Sequence, residues 1–479
     1  MLELHEEIEV ERSPADAWAY VADFRTAAEW DATAFETEKL DSGPVRVGTR
    51  FNVRCALPLG SILLVYTVME LVPSQTVRLK GTCRYFEVED IIEFSATESG
   101  THIDYRACFT FSGPLDKFVG GFESAMRKMG RDALAGLKAA LDDDYPAPDF
   151  TADNTRADRW VLPGLSHFTR AGYRRGRKRW NPMSASMSGK HVVITGASAG
   201  LGKATALRLA ELGANLTLVI RDERKADALL KEVEDETGNT NCRVELADLS
   251  LMADVDDLVA RLKRRRQAID VLINNADALF NPRQVTAEGL EQSFALLLLS
   301  PYRLTLGLLP LLRKAEDARV VNVVSGGMYT QRLEVDKLIM GKAGYSGSTA
   351  YARAKRALMV MTEEWAEQWA DEGITINAMH PGWADTPGVV TALPAFHKLT
   401  RRILRSPLEG ADTIVWLAVA SEAGKASGKL FLDREPRGTY LLSGTREAPG
   451  EREALIEFLE SFDIGLYSET AEVSSKASG

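Results

Sequence analysis

The feature that most restricts the fold of this chain lies at residues 191–211. His191-Val192-Val193-Ile194 is a short run of the kind that forms a buried parallel strand. It passes directly into Thr195-Gly196-Ala197-Ser198-Ala199-Gly200-Leu201-Gly202 and then into the helix-favouring KATALRLAELG. Glycines at these positions let the chain turn tightly and let its backbone approach a bound group closely. The helix start aims free N–H groups and the positive end of its dipole at the same point, an arrangement suited to the pyrophosphate of a dinucleotide. A glycine triplet alone would carry little weight; the strand before it and the helix after it give it force.

The pattern continues downstream. NLTLVI (215–220), CRVELA (242–247), DVLINNA (270–276), VVNVVS (320–325) and ITINAMH (374–380) read as further strands separated by helical stretches. Residues 188–465 are therefore expected to be α/β, a Rossmann-type doubly wound parallel sheet with helices on both faces. Arg221 ends the second of these strands. An acid at this point commonly holds a ribose 2′-OH, whereas an arginine can pair with a 2′-phosphate through its planar fork. Arg221, with Lys203 in support, points to NADP. If Arg221 faces solvent and Asp222 takes its place, NAD remains open.

Two further positions carry chemistry. Ser325 stands at the carboxyl end of a strand, the edge at which open α/β sheets bind ligands. Tyr351 and Lys355 are four residues apart in a helical stretch, so phenol and ammonium share one face. A tyrosine with a pKa of ~10 shuttles protons poorly at neutral pH, and a neighbouring lysine cation together with a positive nicotinamide ring is expected to lower that value.

These features together resemble the short-chain dehydrogenase/reductase family: TGxxxGxG rather than GxGxxG at 195–202, NNA at 274–276, Ser325, Tyr351-Ala352-Arg353-Ala354-Lys355 and Pro381-Gly382. The runs RVVNVVSGGM, AYARAKRALMVMTEEWAEQW, HPGWADTPGV and GADTIVWLA narrow the resemblance to the dehydrogenase/reductase member-12-like group, near the retinol-dehydrogenase-like reductases. FTRAGY (168–173) resembles that group's N-terminal flank. The resemblance implies hydride transfer between a nicotinamide cofactor and the carbonyl or alcohol of a small apolar substrate, possible homo-oligomers, and Ser325, Tyr351 and Lys355 as catalytic residues. It assigns the cofactor to Thr195, Gly196, Ser198, Ala199, Gly200, Leu201, Gly202, Arg221, Asp248, Leu249, Asn274, Ala276, Tyr351, Lys355, Pro381, Gly382 and Thr386, with Asp248 near the adenine and Thr386 at the carboxamide. It implies no metal. The chain departs from the family pattern twice. Asp277 stands where NNAG has glycine. Leu297, three residues after Phe294, stands where an asparagine would hold the water that links the lysine to solvent. The second departure leaves open a catalytically impaired carrier or sensor that binds dinucleotide without turnover.

Residues 1–142 read differently. LELHEEIEVE alternates as a strand does, Ser13-Pro14 opens a helix, and SILLVYTVMEL, TVRLKG, FEVEDIIEF and THIDYRACFTF are further strands. After Gly113-Pro114, Leu115, Phe118, Phe122, Met126, Met129, Ala133, Leu137 and Leu141 recur at helical spacing, giving a long helix with one apolar face. This α+β zone, with SPADAWAYVADFRTAAEWDAT and its Trp18 and Trp30, resembles the START/Bet v 1-like superfamily (polyketide cyclase-like, SRPBCC). That resemblance implies a helix-grip fold around either an apolar ligand cavity or a filled core.

Between the two lies a linker, 143–187, with Arg170, Arg174, Arg175, Arg177, Lys178 and Arg179 close together. It suits a solvated helix docked on acidic protein or, through Leu165, Phe168, Tyr173 and Trp180, a membrane surface. The apolar stretch Phe294–Leu312 is interrupted by Arg303, Pro301 and Pro310 and fits a buried or subunit-facing helix better than a membrane span. The net charge of −10 argues against bulk nucleic-acid binding. The acidic N-terminus lacks the apolar core of a signal peptide, and the four cysteines form no CxxC pair, so the cytoplasm is expected. Residues 466–479 are expected to be a disordered tail.

Overall fold

Alternating strands in the first zone and strand–helix alternation in the second produce two separate cores. The computed structural model describes residues 2–57, 60–111, 123–145, 148–151, 165–177, 179–183, 185–392, 394–442 and 444–462. They divide into two compact units. The stretch expected as a linker is shared between them: 148–177 groups with the second unit and 178–186 with the first. Residues 466–479 lie outside the described residues.

The first unit is a seven-stranded antiparallel sheet. Its strands are β1 (Leu2–Val10), β2 (Ala34–Lys39), β3 (Arg50–Leu57), β4 (Gly60–Val72), β5 (Thr76–Thr82), β6 (Phe86–Ala96) and β7 (Thr101–Phe111), in the spatial order β1-β7-β6-β5-β4-β3-β2. The period of two is plain in β5 and β6, where Val77, Leu79, Val88, Ile92 and Phe94 are buried. Helix α1 (Pro14–Ala22) starts as its sequence requires: Ser13 accepts a hydrogen bond from the Asp16 N–H, and Pro14 occupies the first turn. Helix α2 (Glu123–Asp142) turns Leu134, Leu137, Ala140 and Leu141 inward. Gly136 lets it approach the Trp30 carbonyl, which a Cβ would strike. Two details differ from expectation. Met129, placed on the apolar face, is exposed, and Leu134 takes its role. Leu115, Phe118 and Phe122 lie outside the described residues.

One polar residue interrupts the inner face of β6. Asp90 sits between Val88 and Ile92 and is only 1% exposed. It hydrogen-bonds Tyr66 and Tyr105, while its Oδ2 atom has no partner. Burial pushes its carboxyl up to about 7, against the lowering effect of the two phenols.

The second unit is built on an eight-stranded sheet. Its strands are β8 (His191–Thr195), β9 (Asn215–Ile220), β10 (Cys242–Leu246), β11 (Val271–Asn274), β12 (Ala318–Val323), β13 (Ile374–Met379), β14 (Leu430–Leu432) and β15 (Glu435–Arg437). The order is β10-β9-β8-β11-β12-β13-β14-β15, all parallel except β15. The order reverses between β8 and β11, and such a switch point opens a crevice at the carboxyl ends of the strands. The last two strands are three residues each and carry no periodicity that a sequence reading could use.

The long apolar stretch is a core helix. It begins at Gln292, passes through a π-helical turn at Ala295–Leu299 and continues as an α-helix over Ser300–Leu312. Over Gln292–Leu312 it is long and apolar enough to cross a membrane, yet 78% of its apolar window is buried within the protein. Pro301 follows directly on the π-helical turn, at the start of the α-helical portion. The basic segment is likewise docked rather than extended. Arg170 pairs with Glu409 at 2.8 Å, Tyr173 is buried beneath the Arg405 guanidinium, and Phe168 stacks on His380. Tyr173 and Phe168 are thus engaged with the protein's own core.

Candidate active site

Helix α3 (Gly200–Glu211) follows β8 at the switch point. Its N-cap is Ala199, whose side chain cannot accept a hydrogen bond, so no side chain caps the helix start. Gly196 and Gly200 take positive φ, +69° and +56°, a region in which a Cβ would be strained. Gly202 packs so closely on the Gly196 carbonyl that an added Cβ would collide with it. Thr386 lies against Gly200, closing the far side of the same loop. An uncapped helix end behind a loop stripped of side chains is a fit for a pyrophosphate. Gly196, Ser198, Ala199, Gly200, Leu201 and Gly202 would hold it.

Two members of the expected set turn out to build the loop itself. The Thr195 hydroxyl donates to the Ile273 carbonyl and accepts from the N–H groups of Asn275 and Ala276, at 2.9 and 3.0 Å. Asn274 donates to Thr305 and Asn322, and Asn322 donates on to Thr362, a buried chain that locks β11 to its neighbours. The residue missed from sequence is Asn275. Its Nδ2 atom donates to the Thr195 carbonyl at 2.9 Å and also reaches Gly196. The doubled Asn-Asn was the available signal.

At the carboxyl end of β9, the Arg221 side chain is 68% exposed and 4.0 Å from Asp248. Asp248 is tied down by Ser250, with Leu249 buried behind it. Lys203, expected to support Arg221, instead pairs with Glu232 at 2.7 Å and points away from that role.

The three proposed catalytic groups converge. Helix α4 (Ser300–Leu312) and helix α5 (Gly347–Gln368) flank the sheet. Helix α5 brings Tyr351 and Lys355 to the end of β12, where Ser325 begins a short turn. Ser325 hydrogen-bonds the Tyr351 phenol and accepts from the Gly327 N–H at 3.2 Å. Lys355 is 1% exposed, donates to the Val323 carbonyl at 2.7 Å, and lies 5.7 Å from the centre of the Tyr351 ring. Pro381 and Gly382 follow β13, with Gly382 at φ +69° pressed on the Phe168 carbonyl.

Lys355 and a bound nicotinamide ring together were expected to favour the ionised Tyr351 phenol. In the structure the phenol is pushed well above 10, first by burial and then by the Asp277 carboxylate, with Ser325 acting in the opposite sense. The phenol donates to Asp277 Oδ2 at 2.9 Å, and Asp277 Oδ1 lies 3.3 Å from Lys355 Nζ. Asp277 does not take positive φ, so its departure from glycine costs no backbone strain. Leu297 sits in the π-helical turn, buried, and lines a cavity of about one water's size beside Lys355, with Thr195, Asn274 and Ser300.

Both units match known families. Residues 190–394 match the family described as short chain dehydrogenase, and residues 1–142 match that described as polyketide cyclase / dehydrase and lipid transport. The human protein named "Dehydrogenase/reductase SDR family member 12" is 41% identical over 305 residues, 63% of this chain and 95% of its own. Its bovine counterpart is 40% identical over 309 residues, 64% of this chain and 96% of its own. Human "Retinol dehydrogenase 13" is 31% identical over 258 residues, 52% of this chain and 78% of its own. Among solved structures, L-sorbose reductase from Gluconobacter frateurii, complexed with NADPH and L-sorbose, is 23% identical, with a TM-score of 0.44 over 52% of this chain and 95% of that one. With that coverage and identity to its relatives, and with serine, tyrosine and lysine gathered at the switch-point edge, the chain belongs to the short-chain dehydrogenase/reductase family of oxidoreductases, fused to an N-terminal polyketide cyclase-like domain.

Proposed function

We propose that the second unit is an NADP-dependent reductase or dehydrogenase acting on the carbonyl or alcohol of an apolar substrate. The observation that carries this reading is the convergence of Ser325, Tyr351 and Lys355 beside the glycine loop. A bound nicotinamide would supply or accept hydride at the substrate carbon. The chain's own groups handle the oxygen. Tyr351 gives its phenolic proton to a carbonyl oxygen, or takes one from an alcohol in the reverse direction. Ser325 hydrogen-bonds that oxygen and orients it. Lys355, fixed by the Val323 carbonyl, places a cation beside the phenol and favours its ionised form when the proton leaves.

Arg221 supports NADP over NAD. It stands at the end of β9 on an exposed, loosely held side chain, able to pair with a 2′-phosphate. The apolar substrate class is supported by relatives named retinol dehydrogenases. The first unit, by its match to a polyketide cyclase and lipid-transport family, would bind such an apolar molecule. Free cysteines throughout support a reducing, cytoplasmic setting.

The test is oxidation of NADPH by the full chain against a panel of apolar aldehydes and ketones, with Tyr351→Phe alongside. Turnover by the wild type and its loss in the variant are expected; equal rates would refute the reading. One observation favours a second reading, a dinucleotide-binding carrier without turnover: Leu297 is an apolar wall beside Lys355 where a water-holding side chain is expected. Tight NADPH binding with no turnover on any panel member would decide for it.

A further inference from the structure

We propose that Asp277 is the proton relay of this site, carrying the proton of Tyr351 to and from solvent in place of the route that an asparagine at position 297 would support. The inference rests on the oxidoreductase reading above and extends it. Three observations support it. Both oxygens of Asp277 are engaged with the catalytic pair: Oδ2 accepts the phenolic hydrogen bond at 2.9 Å, and Oδ1 faces Lys355 Nζ at 3.3 Å. The same side chain is 41% exposed, whereas Lys355 is 2% exposed, so Asp277 alone of the two joins the phenol to water. Finally, Leu297 is buried and can neither donate nor accept a proton.

The steps balance without any further reactant. In reduction, the Tyr351 O–H bond breaks as the substrate oxygen takes the proton and the substrate carbon takes hydride from the reduced nicotinamide. The Asp277 carboxylate then takes a proton from solvent and passes it to the phenolate. In oxidation each step reverses: alcohol proton to phenolate, phenol proton to Asp277 carboxylate, Asp277 proton to water. Among the described residues, Tyr351 and Lys355, both from α5, are the titratable groups in direct contact with Asp277, and Ser325 hydrogen-bonds Tyr351.

The structure also predicts what a merely structural carboxylate would not do. Because Asp277 is exposed, removing its side chain opens the phenol to small acids from solution. The experiment compares wild type, Asp277→Asn, Asp277→Glu and Asp277→Gly as full-length holoenzymes. Asp277→Asn is expected to lower kcat by about 10²-fold with little change in KM, and to enlarge the solvent deuterium effect on kcat. Asp277→Glu should restore most of the rate. The rate of Asp277→Gly should rise with added acetate, while that of the wild type should not. A readout free of turnover accompanies these. Tyrosinate absorbance in the cofactor-free protein, corrected with Tyr351→Phe, should show the phenol ionising at lower pH in Asp277→Asn than in the wild type, because a neighbouring negative charge has gone. Wild-type turnover with unchanged kcat, isotope effect and acetate response in the variants would overturn the relay alone. An absence of wild-type turnover would overturn the oxidoreductase reading and the relay together.

Discussion

Replacing Asp90 with asparagine should stabilise the first unit at neutral and alkaline pH and leave it nearly unchanged in acid. Asp90 is 1% exposed between Val88 and Ile92, with Asp31 and Glu89 adding negative charge and only the Tyr66 and Tyr105 hydroxyls to favour ionisation. Its carboxyl is held at about 7 instead of 3.8. That difference corresponds to about 4 kcal/mol between the two protonation states. The folded-state value is the higher one. The folded chain therefore binds the proton more tightly, and the advantage is complete below pH ~4, falls as pH rises and is gone above ~7. An asparagine side chain in its place would be neutral throughout and could keep a hydrogen bond to each phenol. Urea unfolding at pH 5, 6, 7 and 8, following the first unit, measures the outcome. The stability difference between variant and wild type should grow toward alkali, approaching ~4 kcal/mol. A difference that stays constant from pH 5 to pH 8 would show that Asp90 does not titrate as its burial requires.

Other substitutions test the second unit. Gly202→Ala should cost about 1–3 kcal/mol of that unit's stability, because its Cβ meets the Gly196 carbonyl, and dinucleotide affinity should fall with it in a fluorescence titration. Arg221→Asp should shift the NADPH-to-NADH preference toward NADH by about tenfold or more, roughly 1.4 kcal/mol at the least, read from kcat/KM with each cofactor. Lys355→Met should lower kcat by about 10²-fold or more, since the cation beside the phenol is lost; unchanged turnover would remove Lys355 from the mechanism.

Much of the architecture was legible because each core has a clear periodicity. The parallel strands β8, β9, β11, β12 and β13 are short, largely apolar runs buried at nearly every position, and β5 and β6 alternate cleanly. Strand β2, AFETEK, buries only Ala34 and gives no such signal, and β14 and β15 are too short to carry one. The proposed catalytic trio was legible because its spacing is local in Tyr351–Lys355 and positional in Ser325. What sequence could not give was the partner of the trio. Asp277 lies 74 residues from Tyr351, and its type suggested only a lost glycine. The fold turns that departure into a carboxylate shared by phenol and ammonium. In the same way, Lys203 was expected to support Arg221 in holding NADP, yet it pairs with Glu232.

The central claim is that Tyr351 transfers the proton to or from the substrate oxygen. Its most direct test is single-turnover conversion of an apolar aldehyde by the NADPH-loaded full chain, wild type against Tyr351→Phe, with NADPH affinity measured in parallel. The structure predicts retained binding and a fall in the conversion rate of about 10²–10⁴-fold, since phenylalanine keeps the ring and removes only the hydroxyl. Equal conversion by the two proteins would contradict it.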